Sequence, residues 1–265
     1  MKQRCALLFH CAILVLLAPH AAAESITGGR YALPVNRYGH FALGTPHEYA
    51  RLVATTDRSR NLELLLPDDE VFEDVAPRLV HLAPEASAEL LVIISNRKTG
   101  SRLALVRAAG GTLEISAQAS PIGTPRRWLN PVGVADLDGD GRAEIAAVIT
   151  PHIGGILKVY QRRGAALTEV ALLPGFSNHR FGSIEQRLSM PVMIAGRMRL
   201  LVPDATRSHL RVIAFDARRL VEVGRCNLAA PVTGDMRAIS AAEVSVTLES
   251  GPQSLNPGNC VSRDV

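Results

Sequence analysis

Val132-Gly133-Val134-Ala135-Asp136-Leu137-Asp138-Gly139-Asp140-Gly141-Arg142-Ala143-Glu144-Ile145-Ala146-Ala147-Val148 is a short apolar run, an acidic glycine-bearing loop and a second apolar run. Each run is short, small or β-branched in character, and bounded by Asp and Gly, which predicts two strands joined by a tight loop. The second run has counterparts at Glu89-Leu90-Leu91-Val92-Ile93 and Arg199-Leu200-Leu201-Val202, at a spacing of about 55 residues. The strands that follow keep the same step: Leu103-Ala104-Leu105-Val106, Leu157-Lys158-Val159-Tyr160 and Leu210-Arg211-Val212-Ile213. A further series stays in phase with both: Leu113-Glu114-Ile115, Leu167-Thr168-Glu169-Val170 and Leu220-Val221-Glu222-Val223.

Weaker copies flank these three. Upstream, Arg51-Leu52-Val53-Ala54, Leu62-Glu63-Leu64-Leu65 and Glu73-Asp74-Val75 follow the same order. Downstream, Glu243-Val244-Ser245-Val246 matches the second strand, after which the copy dissolves at Gly251-Pro252. Each unit also has a preceding small, apolar strand: Phe41-Ala42-Leu43, Val80-His81-Leu82-Ala83, Val132-Gly133-Val134-Ala135, Val192-Met193-Ile194 and Arg237-Ala238-Ile239. No long stretch keeps helical periodicity, so helical crossovers and a parallel sheet are not expected. Four short antiparallel strands in about five copies describe an all-β fold, a β-propeller of about five four-stranded blades. A β-sandwich with accidental internal similarity is the alternative. The segment Arg30-Tyr31-Ala32-Leu33-Pro34-Val35 is expected to complete the last blade and close the ring, removing an open sheet edge.

Residues 1–23 have the parts of a secretory signal peptide: Lys2 and Arg4, a short apolar stretch, and Ala21-Ala22-Ala23. The stretch is too short to span a membrane comfortably, so no membrane span is expected once the signal is removed. Residues 24–265 then form a single propeller domain with a C-terminal tail, in the periplasm or secreted. Cys5 and Cys11 leave with the signal, and Cys226 and Cys260 remain as an even pair in an oxidising compartment. They are either joined or two small buried hydrophobes.

The whole chain of 265 residues has 29 Lys+Arg against 25 Asp+Glu and is 47% apolar. That composition suits a globular core and excludes a disordered chain. The charges are interspersed without a basic stripe, which argues against nucleic acid as a partner.

The loop from Asp136 to Glu144 has carboxylates at its first, third, fifth and ninth positions and glycine at the sixth. Alternate residues of a tight loop can direct oxygens at one centre, and calcium takes six to eight oxygens at about 2.3–2.6 Å. Gly141 permits the positive φ such a bend requires. The carbonyl of Arg142 can complete the set beside Glu144. The plain alternative is a solvated acidic turn. Zinc is not indicated, since no Cys or His stands at ligand spacing.

The segment Val134–Ile145 resembles the FG-GAP/VCBS repeat of integrin-α-like propellers: an apolar strand, D-x-D-x-D-G-x-x-D/E, then a strand. The resemblance implies Ca2+ held by Asp136, Asp138, Asp140, the Arg142 carbonyl and Glu144. The loops at the equivalent places of other units lack the acids, so they are expected to be metal-free.

For chemistry beyond the metal, no G-x-S-x-G turn is present, and neither Cys226 nor Cys260 has an evident activating partner. Glu48, Glu85 and Asp235 form no recognisable acid pair, so catalytic residues are not assigned. His40 and His81 stand near inner strands and are read as packed or solvent-exposed. All but three of the cations are arginine. Arg126 and Arg127 before Trp128 fall in an inter-unit connection, either as a packed aromatic with a solvated edge or as a site for an anionic sugar, a carboxylate or a protein. The expected role is protein or glycan recognition, without enzymatic activity. The rival is a polysaccharide-active enzyme using a central cleft.

Overall fold

The computed structural model describes residues 24–262, so the stretch read as a signal peptide, with Cys5 and Cys11, lies outside the described residues. Nineteen strands and one 3-10 helix are present, and no α-helix occurs among the described residues. The strands form three sheets of twelve, four and three strands, and the largest is made of three antiparallel groups joined by single bridges, so that five groups follow in chain order. The first holds β1 (Ile26–Val35), β2 (Glu48–Thr56) and β3 (Asn61–Leu65). The second holds β4 (Glu70–Phe72), β5 (Arg78–Val80), β6 (Glu89–Asn96), β7 (Gly100–Ala109) and β8 (Thr112–Gln118). The third is β9 (Leu129–Ala135), β10 (Glu144–Ile149), β11 (Ile156–Arg163) and β12 (Ala166–Pro174). The fourth is β13 (Met190–Ile194), β14 (Arg197–Pro203), β15 (His209–Asp216) and β16 (Arg219–Asn227). The fifth is β17 (Val232–Ala238), β18 (Val244–Leu248) and β19 (Gly251–Leu255). Thin bridges join the first three into one curved sheet: Tyr49 pairs with Phe72, and Ala166 with Gln118.

The continuous apolar runs explain how these sheets stack. Along β6, Leu91 and Ile93 enter one core, while Leu90, Val92 and Ile94 enter another on the opposite face. Along β10, Ile145, Ala147 and Ile149 join the first of these cores, and Ala146 and Val148 join a third. In β15, Ile213 and Phe215 face that third core, whereas Leu210, Val212 and Ala214 face a fourth. A strand that is apolar at every position is stable only where neighbouring sheets cover both faces. The end sheets differ. In β18, Val244, Val246 and Leu248 are buried and Ser245 and Thr247 are not, the alternation of a sheet covered on one face only.

One long loop, residues 175–189, touches all five groups or their connections. Asn130 of β9 donates to the carbonyls of Asn178 and Gln186, and Asn178 donates back to the Asn130 carbonyl. The Gln186 amide donates to Asp74 at 2.9 Å, beside β5. Gly182 N donates to the Ala42 carbonyl of the β1–β2 connection. Ser177 N donates to the Pro203 carbonyl, and Met236 N of β17 to that of Arg187. This loop therefore bonds to a strand or a connection of every group.

Several expected elements are corrected. The N-terminal strand does not complete the last sheet. β1 pairs with β2 from Ile26↔Thr56 to Val35↔Glu48. Tyr31 stacks on Phe72 at 5.0 Å and Ile26 is buried in the same core. A hairpin partner close in sequence costs less loop closure than one some 200 residues away. Phe41-Ala42-Leu43 is a turn, although Ala42 and Leu43 are buried. Glu73-Asp74-Val75 is not a strand but a break between β4 and β5 with both acids buried. Gly251-Pro252 opens β19, where Pro252 is tolerated because β19 is an edge strand.

Cys226 at the end of β16 and Cys260 in the 3-10 helix Pro257–Cys260 form a disulfide with Cα atoms 5.0 Å apart. It fastens the C-terminal segment, which also bridges Gly224 to Val261.

Candidate functional site

The loop between β9 and β10 folds around its own acids. Asp136 accepts from the backbone of Gly139 at 2.8 Å and Gly141 at 3.0 Å. Asp138 accepts from Asp140 N, and Asp140 from Arg142 N. These short-range bonds tighten the loop, and Gly141 takes φ 86°, as the bend demands. Glu144, the first residue of β10, is buried; its two carboxylate oxygens accept from Leu137 N at 2.9 Å and from the Gln161 amide at 3.1 Å. Burial pushes the Glu144 carboxyl up, with Asp138 and Asp140 adding to the effect.

One carboxylate oxygen each from Asp136, Asp138 and Glu144 lies within 4.8 Å of the others. Such an all-oxygen group can hold a hard cation. Of the five expected ligands, the fold thus brings three together. Asp140 stands outside that group and caps Arg142 N instead.

Arg126, Arg127 and Trp128 lie at the opposite end of the third group. Trp128 is 1% exposed and donates through Nε1 to the Glu73 carbonyl at 2.8 Å. It is a core residue, because its ring is enclosed by the second and third groups. It still forms the floor of a cleft of about 300 Å³ that Arg126 and Arg127 border, with His40, His152 and Phe181. A second cleft of about 340 Å³ shares His152 and Phe181 and adds His179, Arg180 and Arg207.

The histidines here were invisible as a group in the sequence. His152 follows β10 and His179 lies in the central loop, and their rings meet at 5.0 Å. His152 also stacks flat on Trp128 at 6.0 Å. The partners decide the tautomers. The Ser183 carbonyl can only accept, so His179 Nε2 carries the hydrogen at 2.8 Å. His179 Nδ1 then accepts from His152 Nε2 at 2.8 Å, which leaves His152 Nδ1 an unprotonated acceptor. Burial, with the neighbouring His179, lowers the His152 pKa to about 3, and burial lowers that of His179 to about 4. Both are neutral at pH 7.

Two buried acids complete the centre. Glu73 accepts from His40 Nδ1 at 2.6 Å and from Ser95 Oγ at 2.5 Å, and burial pushes its carboxyl up. Glu48 accepts from His40 N at 3.2 Å. Glu48 thus belongs to a pair with Glu73 that sequence spacing did not disclose. At 4% and 1% exposure, neither can meet a polymeric substrate. Asp235 pairs with Arg187 at 3.1 Å, and His81 is exposed.

No helix among the described residues is long and apolar enough to cross a membrane. Comparison with protein-family models finds no match for this chain, and comparison with curated proteins finds none either.

Proposed function

We propose that this protein is a non-enzymatic β-propeller recognition module of the periplasm or cell exterior, braced by one calcium ion. The propeller reading, with five units, is supported by five groups of strands stacked through alternating cores and bonded to one long loop. The Asp136–Glu144 loop is read as an FG-GAP/VCBS-type repeat in one unit. Compartment rests on the N-terminal signal pattern and on the Cys226–Cys260 disulfide, a bond that persists under oxidising conditions. Its partner is read as a protein or glycan met at the end of the sheets where the arginine-bordered clefts lie.

The observation that carries the calcium assignment is the convergence of Asp136, Asp138 and Glu144 oxygens within 4.8 Å. Two like charges near 4 Å repel by about 1 kcal/mol even in bulk water, and more where solvent is excluded. Glu144 is the buried member, anchored by Leu137 N and Gln161, so its carboxylate keeps its place as the others gather. A bound Ca2+ supplies the charge that turns this mutual repulsion into attraction.

Thermal and urea unfolding of the full protein with calcium and with EGTA tests the assignment. At a hundredfold excess over the dissociation constant, calcium is expected to add about 2.7 kcal/mol. Asp138→Asn should erase that increment and leave stability in EGTA equal to or above the parent's, since it removes one of the repelling charges. Identical curves with and without calcium refute the site.

A further inference from the structure

We propose that the two joined clefts around His152 and Phe181 bind an acidic oligosaccharide, with its carboxylates held by Arg126, Arg127, Arg180 and Arg207. This deepens the recognition reading above and rests on it.

Charge is the first argument. Among the described residues none of these four arginines forms an ion pair, and neither cleft is lined by an acid. Several arginines elsewhere are held in ion pairs, as in Arg102–Glu70, Arg78–Asp74 and Arg211–Glu222, so the distinguishing feature of these four is that they border clefts without an acid in the lining. Arg207 donates to neutral oxygens, the Val232 carbonyl and Ser177 Oγ; burial and the like charge of Arg180 disfavour its charged form, and Glu249 partly offsets them. Guanidinium groups bordering clefts that no acid lines suit a ligand that brings its own carboxylates, which they can grip in bidentate fashion.

The second argument is what else lines the clefts. Phe181 and Ile153 are both 61% exposed, an apolar face set between the arginines. The His152 Nδ1 lone pair has no donor among the described residues, and the tautomer chain through His179 to Ser183 holds it as an acceptor. Guanidiniums call for acids, an exposed ring for a C–H face, and a fixed neutral acceptor for a hydroxyl. A uronic acid residue carries all three. Of the nine described non-glycine residues with left-handed φ, three line these clefts: Arg126, Thr150 and Arg207, at 53°, 50° and 61°. Left-handed non-glycine residues gather at ligand clamps.

The protein contains one tryptophan, and Trp128 is the cleft floor, so intrinsic fluorescence reports occupancy. Titration of the full protein with trigalacturonate should change that fluorescence saturably. Its methyl ester, with the same rings and no charge, should bind at least about tenfold more weakly. Arg126→Ala and Arg180→Ala should each weaken trigalacturonate by about tenfold or more. Neither guanidinium bonds another described residue, so both variants should keep the parent melting curve. No saturable change, equal affinity for the ester, unchanged affinity in both variants, or tighter binding of penta-aspartate would overturn the assignment. New reducing ends during the titration would instead overturn the non-enzymatic reading and leave the site standing. No binding by the parent protein, with its calcium-dependent melting shift intact, would sink the site alone.

Discussion

His152 shows how one side chain acquires properties its sequence neighbours do not predict. Pro151 and Ile153 say nothing of His179 or Trp128, which arrive from other elements. Both histidine pKa values are depressed in the folded protein, to about 3 and about 4. The unfolded chain therefore takes up protons that the fold refuses. The stability contributed by the neutral pair is complete above about pH 6.5 and declines as pH falls toward those values. Each histidine contributes a slope of at most about 1.4 kcal/mol per pH unit, less for the partly exposed His152. Glu73 and Glu144, raised by burial, act with the opposite sign, since the fold holds their protons more tightly. The comparison to make is therefore between the parent and His152→Gln. In urea unfolding between pH 7 and pH 5, the variant should lose less stability than the parent, and parallel losses would refute the linkage.

At the scale of elements, the well-matched strands β6, β10 and β14 stand at the expected second-strand positions, and β7, β11 and β15 at the next. They were legible because each is an uninterrupted apolar run with a polar turn on either side. The errors fall where that link between pattern and pairing breaks. Ala42 and Leu43 are buried by a turn, and Glu73 and Asp74 are buried by hydrogen bonds to His40 and Gln186. The sequence leaves Trp128 open between a packed aromatic with a solvated edge and a binding residue, and its burial is the packed alternative. The backbone turns there, so the ring enters the core while Arg126 remains exposed. The Cys226–Cys260 bond spans 34 residues and ties β16 to the C-terminal 3-10 helix. Reduction, or Cys260→Ser, should cost about 3–4 kcal/mol by loop entropy. Urea midpoints with and without reductant measure it, and a change under about 1 kcal/mol would show that the tail adds nothing to the fold.

Across the whole molecule, stability depends on the sheets supporting one another in series. Each inner sheet is covered on both faces, so loss of an end sheet uncovers the next. Deleting residues 24–35 removes β1, with Ile26 and Tyr31 from the core shared with β6 and β7. The remaining chain is expected to melt well below the parent and to bind a hydrophobic dye, because Leu90, Val92 and Ile94 lose cover. An unchanged melting curve would show that β1 is an accessory strand. The central loop 175–189 has the converse role: its Asn130–Asn178 exchange and Gln186–Asp74 bond pin distant sheets through polar contacts that have no periodic signature.

The amino-acid order alone determined the strand-rich architecture, the places of most middle strands, the pair of cysteines and the acidic loop. All of these are local patterns: period two, runs of like character, and alternating carboxylates within nine residues. Only the tertiary structure decided where β1 pairs, which three of the loop carboxylates meet, and that Trp128 is buried. It also decided that two histidines, two buried acids and four arginines outside any ion pair gather at the far end of the sheets. Those outcomes depend on contacts between residues tens of positions apart, and such contacts form only when stacked sheets and a shared central loop bring them within hydrogen-bonding reach.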